Sequence, residues 1–549
     1  MSVRFLNNDA SNNTDVVSKT FPSEELKPWV RNPSWPACEA NSGDNRVRGL
    51  YAVWPDGANF IAMTVSGAYT VDYGDGTITN YTSGSTAYYE YTYSDADLVG
   101  TEAPVTFTDS GDLVTRTAHG YSNDMQVKFF NIATTTGISN GQFYYVINAT
   151  ANTFQVSATV GGSALALTND GTGQLLPYRF ATVTITPQVA NNLTSVNLLV
   201  KHNQSGLANG YSTGWLDLAY AASTITSLTL GSGGTTVFHY YLNRVRLNQL
   251  GSITSFANLF NALRNLENIE IASTITTVTS MSSMFNNCTN LQTVPLFNTA
   301  SVTSMSFMFS GCFNLQTVPL FNTASVTNMS TMFASCRKLR KVPLFNTALV
   351  TDMSLMFNAC SSLQTVPLFN TASVTSMSNM FSSISSLQTV PLFNTASVTN
   401  MSFMFSGCNS LQTVPLFNTA SVTNMSTMFQ NCNILQTVPL FNTASVTNMS
   451  TMFSGCNSLT AIPALVTTAV TTGNFNNMFQ TCNSLARIEA KDFKFTFSVA
   501  SCKLSATALD EIYTNLPTVV GQTITVTGNY GTATDNPAIA TAKGWTVTG

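Results

Sequence analysis

The sequence predicts a multidomain chain, an all-β N-terminal half followed by an α/β solenoid of 24-residue units. Three observations lead there. The phrase LQTVPLFNTASVT returns at a fixed step through the second half, β-type alternation and Gly-rich turns fill the first, and 549 residues are too many for one core. Charged residues make up only 9% of the chain against the usual quarter, and hydrophobic ones 44%, which suits a structural protein better than a cytoplasmic enzyme. The net charge of -4 gives no basic field for nucleic acid or an anionic membrane. No apolar run approaches the ~18 residues of a membrane span.

Residues 1–45 carry Trp29, Pro33, Trp35 and Pro36 and read as an N-terminal arm or anchor. Their first stretch, MSVRFLNNDASNNTDVV, lacks the apolar core of a signal peptide, which predicts an intracellular protein or release outside the general secretion route. Residues 46–100 plus 177–205 read as one β-sandwich. Its Tyr69–Thr77 stretch alternates and runs into an Asp-Gly turn, Tyr89–Tyr93 supplies a Tyr-rich strand, and the closing strand comes only at Ala181–Thr186. Residues 101–176, with strands at Gln126–Phe130, Phe143–Ile147 and Phe154–Ser157, read as a small β domain inserted at an exposed turn.

Residues 206–252 read as an N-terminal cap, 253–489 as the solenoid and 490–549 as a C-terminal cap. Val-Pro pairs mark the period at Pro295, Pro319, Pro343, Pro367, Pro391, Pro415 and Pro439, 24 residues apart, a step typical of stacked leucine-rich units. Within a unit, Leu291-x-x-Val294-x-Leu296 reads as a strand with Val294 and Leu296 facing inward. A polar corner at 298–301 leads to Met305, Met308, Phe309 and Cys312, spaced i, i+3, i+4, i+7 like one stripe of a short helix. A lone unit buries too little to offset the entropy of ordering it, so neighbours must share burial and hydrogen bonds. The recurrent proline removes a ladder donor and predicts very short strands. In the C-terminal cap, Leu504–Leu516 reads as an amphipathic helix, Gln522–Thr527 as a strand, Asn536–Gly544 as a helix and Trp545 as the start of a last strand.

The unit SVTxMSxMFxxCxxLQTVPLFNTA resembles the BspA-type leucine-rich repeats of bacterial surface and phage proteins. The segment from Gly49 through the DYGDGT turn to Ala190 resembles PKD domains, small immunoglobulin-like sandwiches found in tailed-bacteriophage structural proteins. The insert, with Val114–Gly120, Thr134–Gly137 and Tyr144–Asn148, resembles a β module of phage tail and virion proteins. The combination implies a virion surface protein of tail-fibre or spike type. Its arm would pack on other virion proteins and its solenoid would meet a host-surface glycan or protein, in a homo-oligomer. A capsid decoration protein without a host ligand and a bacterial surface adhesin are the alternatives. No cofactor is implied.

Individual motifs are weighed on their chemistry. Cys288, Cys312, Cys336, Cys360, Cys408, Cys432, Cys456 and Cys482 share one repeat position, which Ile384 fills in another unit, so the slot wants an apolar group and a buried thiol ladder is expected over disulfides or metal. Gly210-Tyr-Ser-Thr-Gly214, with Asp217 and His239 downstream, matches a nucleophile pattern but lacks the surrounding α/β sheet, so a Gly-flanked turn is expected. Asp72 and Asp75 could hold calcium, although Asp in such turns more often bonds its own backbone. On the strand face Gln292, Thr293, Gln316, Thr317, Gln364, Thr365, Gln388, Gln412 and Gln436 form a neutral polar ladder, interrupted where Arg340 and Lys341 replace Gln-Thr. This is the candidate binding face. One variable outward position, with Phe307, Leu355 and Phe403 as its large members, is a candidate partner contact.

Overall fold

Seventeen strands of the first half belong to only two sheets and a barrel, because Gly and Asp turns fold the alternating segments back on themselves. The computed structural model describes residue 38, residues 45–53, 59–92 and 103–549, except 122, 124–125, 141, 160, 176–178, 190–191, 204–211, 213, 232–238, 240 and 472. Trp29, Pro33, Trp35 and Pro36 lie outside the described residues. The chain forms two units, the first made of residues 1–230, 236–252 and 263–272, the second of 231–235, 253–262 and 273–549.

The first unit opens with β1 (Arg46–Val53), β2 (Phe60–Ser66), β3 (Tyr69–Asp72), β4 (Ile78–Tyr81) and β5 (Thr86–Glu90). Then come β6 (Ala103–Thr108), β7 (Leu113–Thr115), β8 (Gln126–Ala133), β9 (Phe143–Ile147), β10 (Thr153–Ser157) and β11 (Gly171–Leu175). It ends with β12 (Arg179–Pro187), β13 (Ser195–Asn197), β14 (Trp215–Ala221), β15 (Ser227–Thr229), β16 (Arg244–Gln249) and β17 (Asn268–Ile271). One sheet runs β17-β16-β14-β1-β12-β3-β4 and a second runs β15-β13-β2-β5. Strands β6 to β11 close on themselves as a barrel ordered β10-β7-β6-β11-β8-β9, around Phe107, Phe129 and Phe154.

The strand that follows the barrel, β12, pairs antiparallel with β3, setting Thr184 opposite Asp72 across more than a hundred residues of chain. Tyr51 on β1 donates its hydroxyl to the Phe60 carbonyl on β2 at 2.7 Å and meets Trp215 edge-on at 5.2 Å. Gly49 is required there, since a Cβ would stand 2.2 Å from the Trp215 ring. At its far edge the large sheet changes character: β14, β16 and β17 pair in parallel.

The second unit is a solenoid of stacked repeats, mostly β-like, whose coils stack in parallel through single bridges such as Ser304 to Asn328 and Asn328 to Asp352. The α/β expectation for the repeats is corrected. Among the described residues no repeat contains a helix; the stripe positions lie in consecutive tight turns. Met308 donates to the Met305 carbonyl and Cys312 to that of Phe309. Their neighbours Met305, Phe307, Phe309 and Gly311 donate instead to Asn328, Ser330, Met332 and Ala334 of the next coil. A helix would send the Phe309 amide back to Met305. Backbone φ is +57° at Phe307 and +74° at Gly311, the third positions of two type II turns.

Burial nevertheless follows the stripe: Met305, Met308, Phe309 and Cys312 are fully buried, and the Phe309, Phe333 and Phe357 rings stack at 5.6 and 5.8 Å within 4° of parallel. The strand reading of LxxVPL is also corrected, because no ladder forms along those segments between Pro295 and Pro439. The chain instead makes a three-residue turn, Phe321 donating to the Pro319 carbonyl at 3.0 Å. That turn shifts the inward register by one residue. Phe297 is buried, and Leu296, expected inward, is 66% exposed.

Conventional elements return at the end of the unit. Strands β18 (Ala461–Ile462) and β19 (Arg487–Ile488) pair in parallel, as do β20 (Phe497–Ser498), β21 (Gln522–Thr525) and β22 (Trp545–Thr548). Helix α1 (Ala506–Asn515) begins where Ser505 accepts from the Ala508 amide and buries Leu509, Ile512 and Tyr513. The expected second helix is the single turn α2 (Ala538–Thr541).

Candidate recognition face

Each coil turns Leu, Val and Phe inward at every third residue from Leu315 through Val318 to Phe321, which leaves two outward pairs between them, Gln316-Thr317 and Pro319-Leu320. The first pair builds the expected polar row. Gln292, Thr293, Gln316, Thr317, Gln364, Thr365, Gln388, Gln412 and Gln436 are all exposed. Gln316 is tied to the previous coil through its amide, 2.9 Å from the Gln292 carbonyl, and through its side chain, 3.4 Å from Gln292 Oε1. Arg340 and Lys341 stand exposed in the same row. The guanidinium of Arg337 sits over the Phe313 ring at 4.6 Å.

The second outward pair was missed. Leu296, Leu320, Leu344, Leu368, Leu392, Leu416 and Leu440 are each 57–66% exposed and follow one another coil by coil. The readable signal was the proline before each of them, which breaks the strand alternation that would have turned them inward.

On the turn face, Phe307 and Phe403 are exposed and Leu355 half-buried. All three hold left-handed backbone, as do Thr331, Asn379, Thr427 and Thr451 at the same repeat position. Non-glycine residues seldom adopt it.

The cysteine ladder lies inside. Cys288, Cys312, Cys336, Cys360, Cys408, Cys432, Cys456 and Cys482 are fully buried, and each thiol donates to the carbonyl of a phenylalanine in the preceding coil at 3.0–3.1 Å. Burial pushes the Cys360, Cys408 and Cys482 thiols up to about 12. They are packing groups rather than nucleophiles or metal ligands, and no cluster with metal-ligand chemistry occurs among the described residues.

Ser212 and His239 are brought together but not as a catalytic set, and Asp217 is bound to other partners. The Ser212 hydroxyl is fully buried and accepts from the Ala62 amide at 2.9 Å. The His239 ring donates from Nδ1 to the Ser212 carbonyl at 2.9 Å, and its burial lowers its pKa to about 4. Asp217 accepts from the Cys38 amide at 3.0 Å. Asp72 and Asp75 accept from the Gly74 and Thr77 amides at 2.9 and 3.1 Å, the backbone-bonded turn reading.

Comparison with known proteins finds a family match within the repeats. Residues 254–366, 336–436 and 409–501 match a family described as a Mycoplasma protein of unknown function, DUF285. Among solved structures, a leucine-rich repeat protein from Eubacterium ventriosum is similar over 50% of this chain and 86% of its own, at 14% identity and a TM-score of 0.23. A TLR13–ssRNA13 complex is similar over 56% of this chain at 15% identity and a TM-score of 0.21, and the chain spans only 50% of that receptor's length. Plant receptor RGFR1 in complex with RGF2 is similar over 60% of this chain and 65% of its own, at 12% identity and a TM-score of 0.20. No curated protein matches the chain.

Proposed function

We propose that the protein is a non-enzymatic structural component of a virus particle surface, of tail-fibre or spike type, whose solenoid presents a recognition face to the host. The observation that carries this reading is the exposed Gln-Thr row, a ladder of donors and acceptors repeated from coil to coil and neutral except where Arg340 and Lys341 stand. Such a row suits a polymer that is itself periodic and rich in hydroxyls, a surface polysaccharide. The PKD-like and virion-module resemblances of the first half support a particle location, with residues 1–45 as the attachment.

Mass spectrometry of purified particles is expected to find the chain, and its absence there ends the particle reading. On a glycan array, the triple variant Gln316→Ala, Gln364→Ala, Gln412→Ala is expected to lose binding that the parent shows; unchanged binding removes this face from consideration. A second reading, a decoration protein that contacts only other virion proteins, is favoured by the exposed leucine row. The Ser212→Ala variant is expected to leave any esterase activity of the preparation unchanged, because that hydroxyl is sealed from solvent.

A further inference from the structure

We infer that the leucine row is a self-association surface, through which two copies of the solenoid pair antiparallel about a two-fold axis at Leu368. The row is Leu296, Leu320, Leu344, Leu368, Leu392, Leu416 and Leu440, each 57–66% exposed. At about 100 Å² of accessible surface per leucine the row presents about 700 Å², more than the ~300–600 Å² of the largest apolar patch on an ordinary monomer. It is also close to the ~800 Å² that one partner buries in a standard interface. Polar Gln-Thr residues flank it as a rim flanks an interface core.

Two features choose a second copy and its orientation. Coils of one solenoid repeat at the strand spacing of roughly 4.8 Å, and a ridge of leucines on that spacing is matched side by side by a ridge with the same repeat. Such a ridge is self-complementary under a two-fold axis. Charge then separates the two directions. Arg340 and Lys341 occupy the coil of Leu344. In a parallel pair they would face their own copies, a like-charge contact. In the antiparallel pair centred on Leu368, the Leu344 coil faces the Leu392 coil, where Gln388 and Thr389 stand. This inference goes beyond the recognition reading and does not depend on a particle location.

Sedimentation of the full chain at micromolar concentration is expected to give twice the 58.9 kDa chain mass. Leu368→Asp is expected to weaken association at least tenfold while leaving the thermal transition unchanged, since an exposed side chain contributes little to folding. Orientation is read by cysteine crosslinking: Leu368→Cys is expected to crosslink to itself, and Leu320→Cys only to Leu416→Cys when the two variants are mixed. A monomer at all concentrations overturns the inference, and so does a dimer that survives Leu368→Asp. Self-crosslinking of Leu320→Cys overturns the antiparallel arrangement. Flotation of a monomeric chain with neutral phosphatidylcholine vesicles would assign the row to lipid instead.

Discussion

The two units bury comparable chemistry in opposite ways. The first is built from unique contacts: Gly49 exists for one tryptophan, and Ser212, His239 and Asp217 each hold a specific backbone partner. The second uses one contact set many times, with the phenylalanine stack and the thiol-to-carbonyl bond copied from coil to coil. A unique core concentrates risk in single residues. A copied core spreads it, because each coil interacts only with its neighbours and stability is a sum along the array.

The sharpest way to break the contrast is inside the stack. Phe357→Ala removes a ring packed against Phe333 and Phe381 and is expected to cost about 3–5 kcal/mol. Hydrogen exchange resolved by peptide should show the loss confined to neighbouring coils, with the first unit unchanged. Protection lost across the whole chain would mean the units do not fold separately.

Acid should separate the units next. The sequence's three histidines, His119, His202 and His239, all belong to the first unit. Burial depresses His239 from 6.5 to about 4, so the folded state prefers the neutral ring. Its contribution is therefore complete above pH 6.5 and is lost as pH falls toward 4, by at most about 3 kcal/mol. The expected outcome is lower protection from exchange, relative to intrinsic rates, in the first unit as pH falls from 6.5 to 4, reduced by a neutral His239→Gln that retains the fold.

Smaller effects sharpen the account of the copied coil. Cys432→Ile is expected to cost less than about 1.5 kcal/mol in guanidinium midpoint, since Ile384 already fills that slot in another coil. In the folded parent the ladder thiols should resist maleimide. The smallest effect decides between helix and turn. At Phe403, whose φ is +58°, glycine should be more stable than alanine by about 1 kcal/mol, the reverse of their order in a helix.

That last test shows what the sequence made legible. Inward positions could be read from period alone: Met305, Met308, Phe309 and Cys312 are buried as expected. Their secondary structure could not, because a chain of type II turns returns side chains to one face at the same spacing as a helix. The distinguishing mark was Gly or Asn directly before the cysteine, at Gly311, Gly407, Asn431 and Gly455, where left-handed backbone is needed. The polar row was legible because Gln-Thr falls outward in either geometry. The leucine row was not, since its exposure depends on one proline-centred turn.

The turn coil has a consequence for how such a protein can change. Each coil sends the amide hydrogens of its tight turns forward to the next and those of residues such as Thr327 and Gln316 back to the one behind, and this pattern recurs from joint to joint. Inserting or deleting one 24-residue segment in register leaves every joint intact and alters only length. The array is in effect a ruler whose graduations can be added by duplication. Each graduation brings one more leucine and one more Gln-Thr pair, so reach and grip would lengthen together.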